Sequence, residues 1–165
     1  MNVKRAIADH LSSSQVARVT YGAIISLALV VALREHPPDP WVVVGTILGT
    51  ALAVGLAEFY SEFIGTEVRS RRHVTSETVR HISANVLAVA GGISFPAVFF
   101  ALAAVGSIAD DTAFVLAQWS GLGLIGAYGF FGARLRGAGV IESLLHATAV
   151  GLIGGFLIAL KALLH

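Results

Sequence analysis

Cysteine is absent from this 165-residue chain, and methionine occurs once, as Met1. Disulfides, thiolate metal sites and iron–sulfur clusters are thereby excluded, and no thioether ligand lies within the apolar segments. Charge is scarce: Asp, Glu, Lys and Arg make up 13% of the residues, and the formal net charge is +1. A phosphate backbone requires a dense basic stripe, so this balance argues against a nucleic-acid partner. No segment sustains the two-residue alternation of a membrane strand. Nucleophilic triads, phosphate loops and HExxH motifs are also missing, which leaves an enzymatic reading without support.

What the sequence does have is apolar mass. Hydrophobic residues make up 56% of the chain and the mean hydropathy is +0.80. A water-soluble domain of this length has no interior large enough to bury so many apolar side chains. The chain is expected to be an integral membrane protein, and its 18 glycines suit helices that approach closely in lipid.

Five apolar segments, roughly 16–33, 41–64, 81–105, 112–133 and 138–164, each approach the ~20 residues that a helix needs to span hydrocarbon. The expected fold is therefore all-α, a single polytopic membrane domain of five helices. Residues 1–15 form a polar N-terminal segment, too polar for the core of a signal peptide; it is either a short amphipathic helix or a frayed tail. Connections are short: "REHPPDP" holds three helix-stopping prolines, "GSIADD" is acidic and "RLRG" is a tight basic turn. Of the 11 Lys and Arg residues, nine fall on the side of the N-terminus and the second and fourth loops; Arg34 and Lys161 fall on the other. The positive-inside rule then places the N-terminus in the cytosol and the C-terminus outside, the split an odd number of spans requires. A bacterial plasma membrane is the expected location.

Small residues recur four apart at Gly45 and Gly49 and at Gly151 and Gly155. They suit either a homodimer seam or packing within one protomer. Pro96 in "GGISFP" removes a backbone donor midway along the third segment and predicts a kink there.

Polar residues gather at one depth. Glu58 and Glu62 in "LAEFYSEFIG" lie on one face of the second helix, Glu142 and His146 on one face of the fifth, and Asn85 on the third. At 1.5 Å per residue, they fall roughly 3–12 Å in from the cytosolic ends of the apolar segments. Carboxylates and an imidazole in one layer suit a divalent cation such as Fe²⁺, Mn²⁺ or Zn²⁺, and equally a proton relay. Structural alternatives accompany each residue: Glu62 reaching the headgroups, Glu58 paired with an arginine of "RSRR", and His146 bonded to a neighbouring helix. The second loop, with Glu67, His73, Glu77, His81 and four arginines, could collect cations, but its arginines would repel them, and it is read as a solvated basic segment holding topology or meeting anionic lipid.

These residues resemble the vacuolar iron transporter family. "GTALAVGLAEFYSEF" is similar to that family's second helix, where small residues lead into a Gly-Glu-Tyr-like tripeptide, here Ala57-Glu58-Phe59. "ISANVLAVAGGISFPAVFFAL" resembles its third helix, and "FGARLRGAGVIESLLHATAVGLIGGFLIALKALL" its basic turn and Gly-rich last helix. The resemblance implies a five-helix fold, a homodimer with a central path and transport of a divalent metal ion out of the cytosol, with proton coupling as an option. Two departures stand out. Tyr21-Gly22 occupies the place of an Asp-Gly pair on the first helix, and Val54 that of a methionine on the second. The alternative is a non-transporting structural or regulatory membrane protein of the same fold. No resident cofactor is expected on either reading.

Overall fold

The computed structural model describes residues 13–70, 74–135, 137–145, 147–149, 152 and 156. Five helices are bounded there: α1 Ser13–Leu33, α2 Pro40–Ser70, α3 Ser76–Ser94, α4 Ala97–Ala104 and α5 Asp110–Leu135. Helical conformation resumes at residue 140, and no strand occurs among the described residues. Three helices are long and apolar enough to cross a membrane, over Gln15–Leu33, Pro40–Ser70 and Asp110–Arg134. The pair Ser76–Ser94 and Ala97–Ala104 makes a fourth span if counted together. Most of the expected fifth segment, with Gly151 and Gly155, lies outside the described residues, as do residues 1–12 of the N-terminal segment.

Each boundary has a local cause. Asp39 accepts a hydrogen bond from the Trp41 backbone N–H at 2.8 Å, and Pro40 fills the first helical position, where its missing donor costs nothing. Thr75 caps α3 by accepting from the Thr78 N–H. Asp110 and Asp111 open α5 and Arg134 lies in its last turn, both favourable to the helix dipole. Helices α4 and α5 end in the same way. Gly106 and Gly137 adopt positive φ, and paired backbone bonds run from Gly106 to Ala103 and Ser107 to Leu102, and from Gly137 to Arg134 and Ala138 to Ala133.

The third apolar segment breaks where Pro96 predicts it. Axes α3 and α4 differ by 45°, because proline has no N–H to return to the Gly92 carbonyl. The buried Ser26 hydroxyl of α1 donates to the Ile93 carbonyl at 2.8 Å, within the loosened turn. The break is thus sealed by a neighbouring helix.

Helix α3 is central, packed against α1 on one side and α2 on the other, while α5 packs on α1 and α4. The closest approach is between α1 and α3. A Cβ added to Gly22 would lie 2.2 Å from the Val89 carbonyl oxygen, and one added to Gly92 would lie 2.5 Å from that of Val19. Around this crossing Val30, Val43, Ile47, Val89, Ile93, Phe100 and Phe114 form the core, with the Phe100 and Phe114 rings edge to face at 4.8 Å. Many large apolar side chains stay exposed, among them Leu52, Leu56, Leu87, Trp41 and Trp119, as lipid-facing surfaces must. Gly45 and Gly49 also face outward, with nothing within 4 Å of an added Cβ among the described residues.

Candidate functional site

The polar residues meet at the end of the bundle where α1 begins, α2 nears its end and α3 begins. Arg18 on α1 is the hub. Its Nη1 donates to Glu58 Oε1 at 2.6 Å, and its Nη2 donates to Glu62 Oε1. Because Glu58 and Glu62 are one helical turn apart, one planar guanidinium can engage both. Side-chain exposure is 21% for Arg18 and 30% and 26% for the two glutamates. The ions are partly withdrawn from solvent, so their attraction is less screened than that of a fully exposed pair, while desolvation offsets part of the gain.

Asn85 on α3 extends the cluster inward and is 3% exposed. Its Nδ2 donates to Glu62 Oε1 at 3.5 Å and reaches His81 Nδ1, one turn earlier, at 3.3 Å. The cluster therefore ties α1, α2 and α3 together at one level. Among the described residues, two buried oxygens, Glu62 Oε2 and Asn85 Oδ1, have no hydrogen-bond partner. With both glutamates ionised, one guanidinium against two carboxylates leaves a formal charge of −1, and these two oxygens are its spare acceptor capacity.

Of the five residues expected in the polar layer, Glu58, Glu62 and Asn85 come together. Glu142 is exposed on the last helical segment, and no hydrogen bond or ion pair joins it to the cluster among the described residues. His146 lies outside the described residues. Among the described residues no three His, Asp or Glu side chains converge as a metal group would. Tyr21, standing where the family resemblance would place an aspartate, is 49% exposed and takes no part.

The sequence pattern missed Arg18 because it counts toward topology as one more basic residue near the N-terminus. Its depth was the available signal. Arg18 lies a turn and more inside α1, a level at which a cation needs a partner, and Glu58 lies at a matching level on α2. The alternative in which Glu58 pairs with an arginine finds its partner, among the described residues, in Arg18 of the first helix; Arg71 and Arg72 of "RSRR" lie outside the described residues. At Glu62, α2 runs on to Ser70, eight residues or roughly 12 Å further, and the glutamate binds Arg18 and Asn85.

Comparison of the chain with protein-family models, with curated proteins and with solved structures finds no match.

Proposed function

We propose that this chain is a five-span integral membrane protein, N-terminus cytosolic, in which the Arg18 cluster fastens the first three helices at the cytosolic end. Its role is then structural or regulatory, without catalysis. The observation that carries this reading is the guanidinium on both carboxylates, since a divalent cation bound by Glu58 and Glu62 would have to displace an internal cation first. The displacement would meet charge repulsion from the guanidinium. Neither transport nor a homodimer is required, although the outward-facing Gly45 and Gly49 keep a seam between two copies open to test.

A second reading is favoured by one specific observation, that Glu62 Oε2 and Asn85 Oδ1 have no partner among the described residues, beside two carboxylates that share one guanidinium. That is the chemistry of a site with room for a proton or a cation, and it is consistent with metal-ion transport of the kind the family resemblance implies. Arg18 would then be the built-in counter-ion that a transported ion replaces.

One experiment separates the two. Purified protein in liposomes is assayed for uptake of Fe²⁺, Mn²⁺, Co²⁺ and Zn²⁺, with and without a pH gradient. No flux above protein-free liposomes is the outcome expected of a structural cluster. Flux that is lost in Glu58→Gln overturns it in favour of transport.

A further inference from the structure

The Glu62 carboxyl and the Asn85 amide are planar groups of one shape, each with two polar atoms on a single carbon. Asn85 Nδ2 has two hydrogens and two acceptors: Glu62 Oε1 at 3.5 Å and His81 Nδ1 at 3.3 Å. Arg18 Nη2 donates to the same Glu62 Oε1. Among the described residues, every donor to the Glu62 carboxyl thus falls on one oxygen, while Glu62 Oε2 and Asn85 Oδ1 are buried and without a partner. An ionised carboxylate accepts and never donates, so an amide set against it always leaves one edge where oxygen meets oxygen. Turning the Asn85 amide over exchanges the two edges and keeps the mismatch, and it also loses both bonds of Nδ2.

One proton removes the mismatch. With a hydrogen on Oε2, Glu62 is a carboxylic acid whose O–H can donate to Asn85 Oδ1, and its carbonyl Oε1 keeps the bonds from Arg18 and Asn85. The terminal torsions of both side chains are broad, so rotation there can bring the two oxygens together. The charges favour the same state. Among the described residues, the charged or titratable groups around Glu62 are Arg18 from α1, Glu58 from α2 and His81 from α3, the last reached through Asn85. With Glu62 as the acid, Arg18 and Glu58 form a one-to-one ion pair and the formal charge of −1 disappears. Glu58 contributes no buried oxygen without a partner, so Glu62 is the carboxyl that takes the proton. Its side chain keeps 26% of its exposure, and water can therefore deliver the proton directly.

We infer that Glu62 and Asn85 form a proton-binding site, in which one proton held between Glu62 Oε2 and Asn85 Oδ1 closes a carboxylic acid–amide pair and neutralises the cluster. This deepens the second reading above by naming a proton as the ligand of its two free oxygens. It rests on that reading's site and not on flux, so equilibrium measurements test it separately from the liposome assay.

The first measurement is the unfolding equilibrium of the full chain in micelles, from neutral to acidic pH, for wild type and Glu62→Gln. The glutamine amide donates to Asn85 Oδ1 as the acid would. At neutral pH the unfolding constant of Glu62→Gln is therefore expected to equal that of wild type or to be smaller by up to about fivefold, the worth of one further hydrogen bond. As pH falls, wild type gains stability relative to the variant, because proton binding favours the folded state. His81 and the other carboxyls are common to both proteins and cancel in the comparison. The second measurement needs no variant. Infrared spectra are recorded on wild type carrying carbon-13 in the asparagine side-chain carbonyl, which labels Asn85 and Asn2 alone. Acidification should bring up the carbonyl band of a protonated carboxyl, absent from Glu62→Gln, and over the same pH range lower the frequency of the labelled Asn85 carbonyl as Oδ1 gains its donor. A wild type that is more stable than Glu62→Gln at neutral pH and loses that lead on acidification overturns the proposal, since Glu62 would then serve Arg18 as an ordinary carboxylate. A Glu62→Gln protein that does not fold overturns it too. So does an Asn85 carbonyl band that stays in place while Glu62 protonates. Absence of ion flux in liposomes leaves the site standing if these signals are seen.

Discussion

Replacing Gly22 by alanine adds one methyl group at the point where α1 and α3 touch backbone to backbone. The new Cβ would lie 2.2 Å from the Val89 carbonyl oxygen and 3.1 Å from the Ile93 nitrogen. Ordinary contact begins near 3.4 Å, so the helices must part by about 1.2 Å or slide, and neither obstructing atom belongs to a side chain that can rotate away. A radial gap of ~0.5–1 Å already forfeits a quarter to a half of each dispersion contact. The contacts at risk are those of Leu27 and Val30 on α1 and of Val89 and Ile93 on α3, all 0–1% exposed. Overpacking alone costs about 1–3 kcal/mol. Separation also stretches the 2.8 Å bond from Ser26 to the Ile93 carbonyl, which is worth about 1 kcal/mol. The expected destabilisation is therefore roughly 2–4 kcal/mol. The measurement is the reversible unfolding equilibrium in micelles, with Gly49→Ala as the control, since nothing lies within 4 Å of a Cβ there. That control should be neutral or slightly stabilising. A Gly22→Ala protein as stable as Gly49→Ala would refute the backbone contact on which the fold rests.

Removing Arg18 alone strands two partly buried carboxylates, so Arg18→Gln should cost about 1–3 kcal/mol, less than a fully buried pair would because the groups keep some solvent. The triple variant Arg18→Gln/Glu58→Gln/Glu62→Gln should recover much of that loss in the same unfolding assay, and a triple variant worse than the sum of its parts would contradict the charge argument. Ser26→Ala should cost about 1 kcal/mol by leaving the Ile93 carbonyl at the α3–α4 break unsatisfied, read as a shift in the same unfolding equilibrium. Reporter fusions should place a tag before Met1 in the cytosol and one after His165 outside it; the same compartment for both would refute five spans.

How much of this was legible in the sequence depended on whether the cause was local. Pro96 announces its break because the missing N–H is a property of that one residue. The apolar segments located α1, α2 and α5 but stopped short at the polar ends, since hydropathy follows the hydrocarbon layer and the backbone does not. Helix α2 continues through Gly65–Ser70 and α3 begins at Ser76, well before the apolar run at His81. The gathering of Glu58, Glu62 and Asn85 in one layer followed from counting depth along each helix. The pairing with Arg18 did not, because it depends on which helices are neighbours. The Gly22–Gly92 crossing escaped for the same reason: the eye looks for two small residues on one helix, whereas this contact takes one from each of two helices.

The position of Arg18 also has a consequence for how the protein is made. Arg18 and Glu58 are 40 residues apart, so at ~5–20 residues per second the ribosome delivers the first counter-ion roughly 2–8 seconds after the arginine. During that interval the guanidinium lacks the partners it has among the described residues, and the cheapest place for it is the headgroup region, reached by the length of its own side chain. The first helix is thus expected to sit high in the bilayer until the second arrives, and to settle when the two meet. A nascent chain arrested before Glu58 leaves the translocon should show residues near Arg18 open to water-borne thiol reagents at introduced cysteines, and the completed chain should protect them; protection already in the arrested chain would show that α1 reaches its depth unaided.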